Sequence, residues 1–311
     1  MKTLTQPEKA TEGQKKLITR MIGDVADCDP VQEALNALSK KGAERLKGNP
    51  EFAASLRQFA VGQVAQLGVV DEFANEEVES KYAYLSGYDK PTDINAQCNK
   101  LRELFSGIGF ANQDLQTRIE NGEIRLPKHA EGWFAIPNWK KNPSIFGSTY
   151  SSAVQTVLNA INKDRKGKFV NYRDGAIDEK HLRQSARSEK FWDELAKAQG
   201  DADILIIAAQ FGIRHRGRSV RRASVIMEDT LGEIGLGSFA VGIMLLTNPI
   251  RLQNVDDLWI DCAGDEFSPG GDSGVSESPC FRFGVGGVEF DAECVDGACA
   301  YYGSASGFPP Q

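Results

Sequence analysis

Six consecutive apolar residues, Ile204-Leu205-Ile206-Ile207-Ala208-Ala209, restrict this chain more than any other stretch. A run so short and so uniformly apolar fits a strand buried on both faces, which needs covering layers above and below it. It passes directly into Arg214-His215-Arg216-Gly217-Arg218-Ser219-Val220-Arg221-Arg222, so the strand is expected to deliver a cluster of cations at its end. A second apolar run, Phe239 to Leu246, reads as a buried helix. A third, Leu258-Trp259-Ile260, reads as a strand ending in Asp261-Cys262-Ala263-Gly264-Asp265-Glu266. Residues 203–267 therefore read as two buried strands flanking two helices, basic after the first strand and acidic after the last.

Upstream, the periodicity is helical. Leu17, Ile18, Met21, Ile22 and Val25 recur at three- and four-residue spacing, and Asp29-Pro30 and Asn49-Pro50 each read as an N-cap followed by proline at the first helical position. Further helices are expected over 76–85, 93–105 (capped by Thr92) and 112–119, with Asn121-Gly122 as a stop. Residues 1–121 thus read as a helical bundle domain. Beyond Gly122 the pattern mixes. Short strands are expected at 124–126, 133–136 and 169–172, a helix over 149–162 and one or two helices over 178–198. Phe281-Arg282-Phe283 and Val288-Glu289-Phe290, alternating around 284–287, give the clearest hairpin signal. The Gly- and Ser-rich end from Tyr301 on reads as irregular. The fold class expected is α+β: an N-terminal helical domain, 1–121, then a mixed α/β domain, 122–311, with a small sheet and a C-terminal β-hairpin.

Charge is segregated. The net charge of −7 divides into −3 over residues 1–120, +8 over 121–222 and −12 over 223–311. Met1 to Gln14 is polar, with no apolar signal-peptide core, and Phe239 to Leu246 is far short of the roughly 20 apolar residues of a membrane span. The expectation is a cytoplasmic protein with no membrane contact. Cys28, Cys98, Cys262, Cys280, Cys294 and Cys299 contain no Cys-x-x-Cys pair and read as free thiols rather than as a zinc site. No cofactor is expected.

Three functions follow from the charged clusters. Arg214, His215, Arg216, Arg218, Arg221 and Arg222, with Ser219 as the N-cap of the next helix, combine guanidinium groups with free helix-start amides. That chemistry suits a phosphate or carboxylate, so nucleic acid or a nucleotide is the expected partner. The competing reading is that these arginines pair with the protein's own acids. Asp261, Asp265 and Glu266, at a strand end, would suit a hard divalent cation and a metal-dependent hydrolase. Opposed charged regions would also suit a structural or interaction protein that self-associates.

The runs 216–223, 237–249 and 256–267, with the ending Tyr302-Gly303-Ser304-Ala305-Ser306-Gly307-Phe308, resemble a family of uncharacterised bacterial proteins with no assigned activity. The resemblance covers about residues 203–311. It implies that this stretch is one unit and carries no catalytic residue across.

Overall fold

The apolar run forms β4 (Ile204–Gln210), and all seven of its residues are buried. The computed structural model in which it lies describes residues 72–230, 232–271 and 274–310. β1 (Gly132–Pro137) pairs antiparallel with one edge of β4, Ala135 opposite Ile206. β11 (Ser306–Phe308) pairs antiparallel with the other edge and also with the short β5 (Ile234–Gly235), giving a four-stranded sheet in the order β1-β4-β11-β5.

β11 covers only the last part of β4; Ala111 bridges Ile204 at its start, and a side chain bonds the middle. Gln199, itself buried, accepts from the Ile206 amide (2.8 Å) and donates to the Ile206 carbonyl (2.6 Å). Gln97 does the same at the free edge of β1, bonding the Ala135 amide and the Trp133 carbonyl. An unpaired sheet edge leaves backbone groups without partners, and a primary amide supplies both a donor and an acceptor.

The second sheet has seven strands. β8 (Glu277–Gly284) and β9 (Gly287–Cys294) form the expected hairpin. On its other edge β8 pairs with β6 (Trp259–Asp261) and β7 (Asp265–Phe267) in turn. β2 (Phe169–Asn171) runs parallel to β9, β3 (Leu182–Gln184) antiparallel to β7, and β10 (Tyr302–Ser304) parallel to β6. The hairpin alternates as its sequence does. Phe281 and Phe290 are buried in the core, whereas Arg282 on the opposite face holds Glu289 (2.7 Å), Asp291 (3.0 Å) and Glu293 (3.2 Å) and lies over the Trp259 ring.

Seven helices accompany the sheets among the described residues. α1 (Ile94–Leu104) and α2 (Gln113–Glu120) precede β1; α3 (Pro143–Phe146) and α4 (Tyr150–Asp164) follow it. α5 (Ala186–Ala198) lies between β3 and β4, α6 (Val220–Asp229) before β5, and α7 (Ser238–Thr247) after it. α7 is buried along all ten residues. Gly242 faces α4 there, where any side chain would press on Val157 and Ile161. No helix among the described residues is long and apolar enough to cross a membrane.

Several elements differ from expectation. Residues 76–85 are not a helix but a strap of turns and extended chain, held by side-chain and backbone bonds described below. Residues 124–126 form no strand. Leu182 is buried as expected, on β3 rather than on a helix. α1 is capped by Asp93, whose carboxylate accepts the Ala96 amide, while the Thr92 amide bonds the Asn248 side chain. There are two sheets instead of one small one. The C-terminal segment links them: β10 belongs to one and β11 to the other, and Ala305 between them bonds the Asp261 carbonyl through its amide and the Leu236 amide through its carbonyl. Small residues make this fit possible, since a side chain at Gly307 would run into Ile207 and Leu236. Phe73–Gln311 forms one compact unit, so α1, with Ile94, Cys98 and Leu101 in the main core, packs with the sheets. The helices expected before residue 72 lie outside the described residues.

Candidate anion-binding site

β4 ends at Gln210 and the chain turns through a 3-10 turn, Ile213–His215, into α6. The Gln210 side chain organises the turn: its Oε1 accepts the Gly212 and Arg214 amides, and its Nε2 donates to Ser304 O and Ser306 Oγ. Ser219 is the N-cap of α6, as its position predicts, accepting the Arg222 amide at 3.1 Å. The loop thus holds its charged side chains on a rigid support.

Those side chains meet carboxylates. Arg214 Nε lies 2.9 and 3.0 Å from the two oxygens of Glu233, and its Nη2 bonds Thr230 Oγ1. His215 is fully buried and shares Glu233 Oε1 at 2.8 Å, as does Ser306 Oγ at 2.6 Å. Arg221 Nε reaches both oxygens of Glu76 (2.8 and 2.7 Å), and its guanidinium lies 4.4 Å from the Phe73 ring centre. Ser219 Oγ donates to Glu76 as well. Glu77 sits between Arg218 (3.3 Å) and Arg222. Arg216 is exposed and, among the described residues, bonds a neutral acceptor, the Tyr82 carbonyl, at 3.0 Å.

Electrostatics follow this pairing. Burial pushes the carboxyls of Glu76, Glu77 and Glu233 up, but the hydrogen bonds and charges of Arg221 and Ser219, of Arg222 and Arg218, and of His215, Arg214 and Ser306 outweigh it, and all three end below the ordinary carboxylate range. Burial lowers the pKa of His215, favouring its neutral form. Among the described residues, Arg214, Arg218, Arg221 and Arg222 are thus paired with Glu233, Glu76 and Glu77, and the charge of Asp296 also acts on Arg221. Glu233 comes from the acidic C-terminal third; Glu76 and Glu77 come from the strap.

The structure does not gather Asp261, Asp265 and Glu266. Asp265 turns to α7, where Oδ2 accepts the Ser238 amide and Oδ1 the Tyr150 hydroxyl, both at 2.7 Å. Burial pushes it up to about 6. Asp261, on β6, is buried beside Cys280 with no hydrogen bond to its carboxylate among the described residues, and burial followed by the nearby charge of Glu293 pushes it up to about 8. Glu266 points outward to Arg183 (2.6 Å). Among the described residues no group of three or more His, Cys, Asp or Glu side chains stands close enough to hold a metal ion.

The arginine loop and the Asp265–Glu266 segment also line a common groove. This groove of about 480 Å³ runs between α5 and α6, and Arg187, Arg221, Asp265, Glu266 and Phe73 are among the residues that line it. Sequence reasoning missed Glu76 and Glu77, which it assigned to a helix. The available signal was the five acids between 71 and 79, matched by five arginines between 214 and 222. Comparisons with protein-family models, curated proteins and solved structures found no match, so the reading of this site rests on its own geometry.

Proposed function

We propose that this is a binding protein for an anionic partner, one bearing phosphates or carboxylates, which it engages through the arginine loop and the start of α6. The observation that carries this reading is the source of the loop's carboxylates. Glu233 lies in the folded interior, where it holds Arg214 and His215 in place, whereas Glu76 (7% exposed) and Glu77 both come from the strap. Arg218, Arg221 and Arg222 are paired with the strap, and Arg216 with no acid among the described residues. Guanidinium forks suit bidentate contact with phosphate and carboxylate alike, and Glu76 already displays that contact on Arg221. Asp261, Asp265 and Glu266 are dispersed, so the geometry favours binding over metal-assisted hydrolysis.

The test is equilibrium binding of fluorescent anionic probes across a salt series. Affinity is expected to fall steeply with salt. Arg216→Ala and Arg218→Ala are each expected to weaken binding and flatten the salt dependence by roughly one unit of slope per lost phosphate contact. Binding that neither salt nor these variants alter would remove the reading.

A further inference from the structure

We propose that Phe73–Lys81 is a built-in occupant of this binding face, and that the partner which replaces it is an extended polypeptide carrying adjacent acidic or phosphorylated residues. The inference rests on the anion-binding reading above and names the partner and the regulation of that site.

The strap lies on the loop as an added strand lies on a sheet edge. The Val78 amide donates to the Gly217 carbonyl (2.8 Å), the Ser219 amide donates to the Glu76 carbonyl (3.1 Å), and Glu77 and Arg218 form an antiparallel bridge. Main-chain bonds of this kind accept any extended chain, and the side-chain seats supply the selectivity. Here the seats take two acids in succession. The first is gripped by Arg221 and Ser219 Oγ, the second by Arg218 and Arg222. Gly217 fits the approach: its φ is +77°, and a methyl group there would run into the Val78 carbonyl oxygen. A nucleic acid has no backbone amide to meet the Gly217 carbonyl, so the geometry favours a polypeptide.

The strap is held by polar groups, Glu76 buried among them, rather than by apolar packing. From Ala74 to Lys81 it contributes no side chain to the main hydrophobic core, and Ala74, Asn75, Glu77, Val78 and Glu79 are exposed. A few residues further on, Tyr84 and Tyr88 are held firmly. They stack edge-on against each other, and Tyr88 packs on Phe211. The Tyr84 hydroxyl also bonds Glu131 at 2.5 Å, and the buried Arg251 guanidinium stacks on its ring at 3.7 Å. A segment held by polar bonds and ion pairs, with no side chain in the main core between Ala74 and Lys81, opens at lower free energy than one held by buried apolar area. Phe73–Lys81 can therefore lift while Tyr84–Tyr88 stays as the anchor.

The experiment compares the full-length chain with a Glu76→Gln/Glu77→Gln variant. The probes are a fluorescent peptide with two adjacent phosphoserines, its Glu-Glu counterpart, its unmodified form, and a single-stranded oligonucleotide of similar charge. Weakening the occupant is expected to tighten binding of the first two peptides about tenfold or more, because less of the protein is then held in the closed form. In the unaltered protein, saturating phosphopeptide is expected to speed hydrogen exchange across 74–81 and leave Tyr84–Tyr88 protected, a readout that does not depend on the variant folding. Equal or weaker peptide binding by the variant, with binding still lost in Arg218→Ala, would overturn the occupant proposal and leave the anion-binding reading standing. A gain confined to the oligonucleotide would overturn the polypeptide assignment. Peptide binding indifferent to Arg218→Ala would overturn both.

Discussion

The carboxylate of Asp265 accepts the backbone amide of Ser238 at 2.7 Å, so a residue from β7 caps the N-terminus of α7. The helix has no cap of its own, because its N-cap residue is Gly237. A buried helix start leaves amides that must find acceptors, and a carboxylate there also meets the positive end of the helix dipole. Asp265→Ala is expected to destabilise the fold by about 2–4 kcal/mol, from the lost cap and the stranded Tyr150 hydroxyl. Asp265→Asn keeps one acceptor, its carbonyl oxygen, for the Ser238 amide and turns an NH2 donor toward the Tyr150 hydroxyl oxygen, so it should recover part of that loss. Urea unfolding of the two variants checks this.

Asp261 behaves in the opposite way to an ion-paired acid. Its carboxyl titrates near 8 when folded and near 3.8 when unfolded, so between these values the folded chain keeps a proton that the unfolded chain releases. Its contribution to stability therefore declines as the pH rises from about 4 to about 8. Asp261→Asn, with no carboxyl to ionise, should flatten this decline and gain about 2–4 kcal/mol at pH 8. The measurement is the urea midpoint of both proteins over that pH range, and parallel curves would contradict the assignment.

Glu233 has the reverse sign. Its carboxyl is depressed below its ordinary value of 4.5 despite burial, because His215, Arg214 and Ser306 all bond its charged form. The stability it supplies is present above pH 4.5 and lost as the pH falls through the depressed value. Glu233→Gln leaves Arg214 without its carboxylate in a largely buried site and should cost about 3–5 kcal/mol at pH 7. The variant should also unfold with less dependence on acid.

Gly217→Ala tests the fit of the strap directly. The added methyl meets the Val78 carbonyl, and the left-handed backbone strains any residue with a Cβ. A loss of about 1–3 kcal/mol is expected, together with faster proteolysis within 73–81. Loss of stability with no change at the strap would mean that strain alone acts there.

Elements whose residues carry their own periodicity were legible in the sequence. β4, α4, α6 with its Ser219 cap, α7 and the β8–β9 hairpin all stand where pattern and cap residues place them. In each the burial pattern is local, so a window of ten or so residues contains the information. The coarse α+β class follows from those elements. The arginine loop, too, was visible as a cluster at the end of a buried strand.

What the tertiary structure alone decided is where weakly patterned segments go and which charges meet. The Gly- and Ser-rich ending has almost no strand signal, yet it becomes β10 and β11 and ties the two sheets together, because only small residues fit between Ile207 and Leu236. Residues 76–85 have the composition of a surface helix, but bonds to residues more than 130 positions away hold them extended. Asp261 and Asp265 lie four residues apart, yet the carboxylate of one is buried with no hydrogen bond among the described residues and that of the other caps a helix. The physical reason is common to all three. Local sequence sets the cost of each backbone conformation at about 1 kcal/mol per residue or less, whereas long-range ion pairing, capping and close packing act on a larger scale and choose among them.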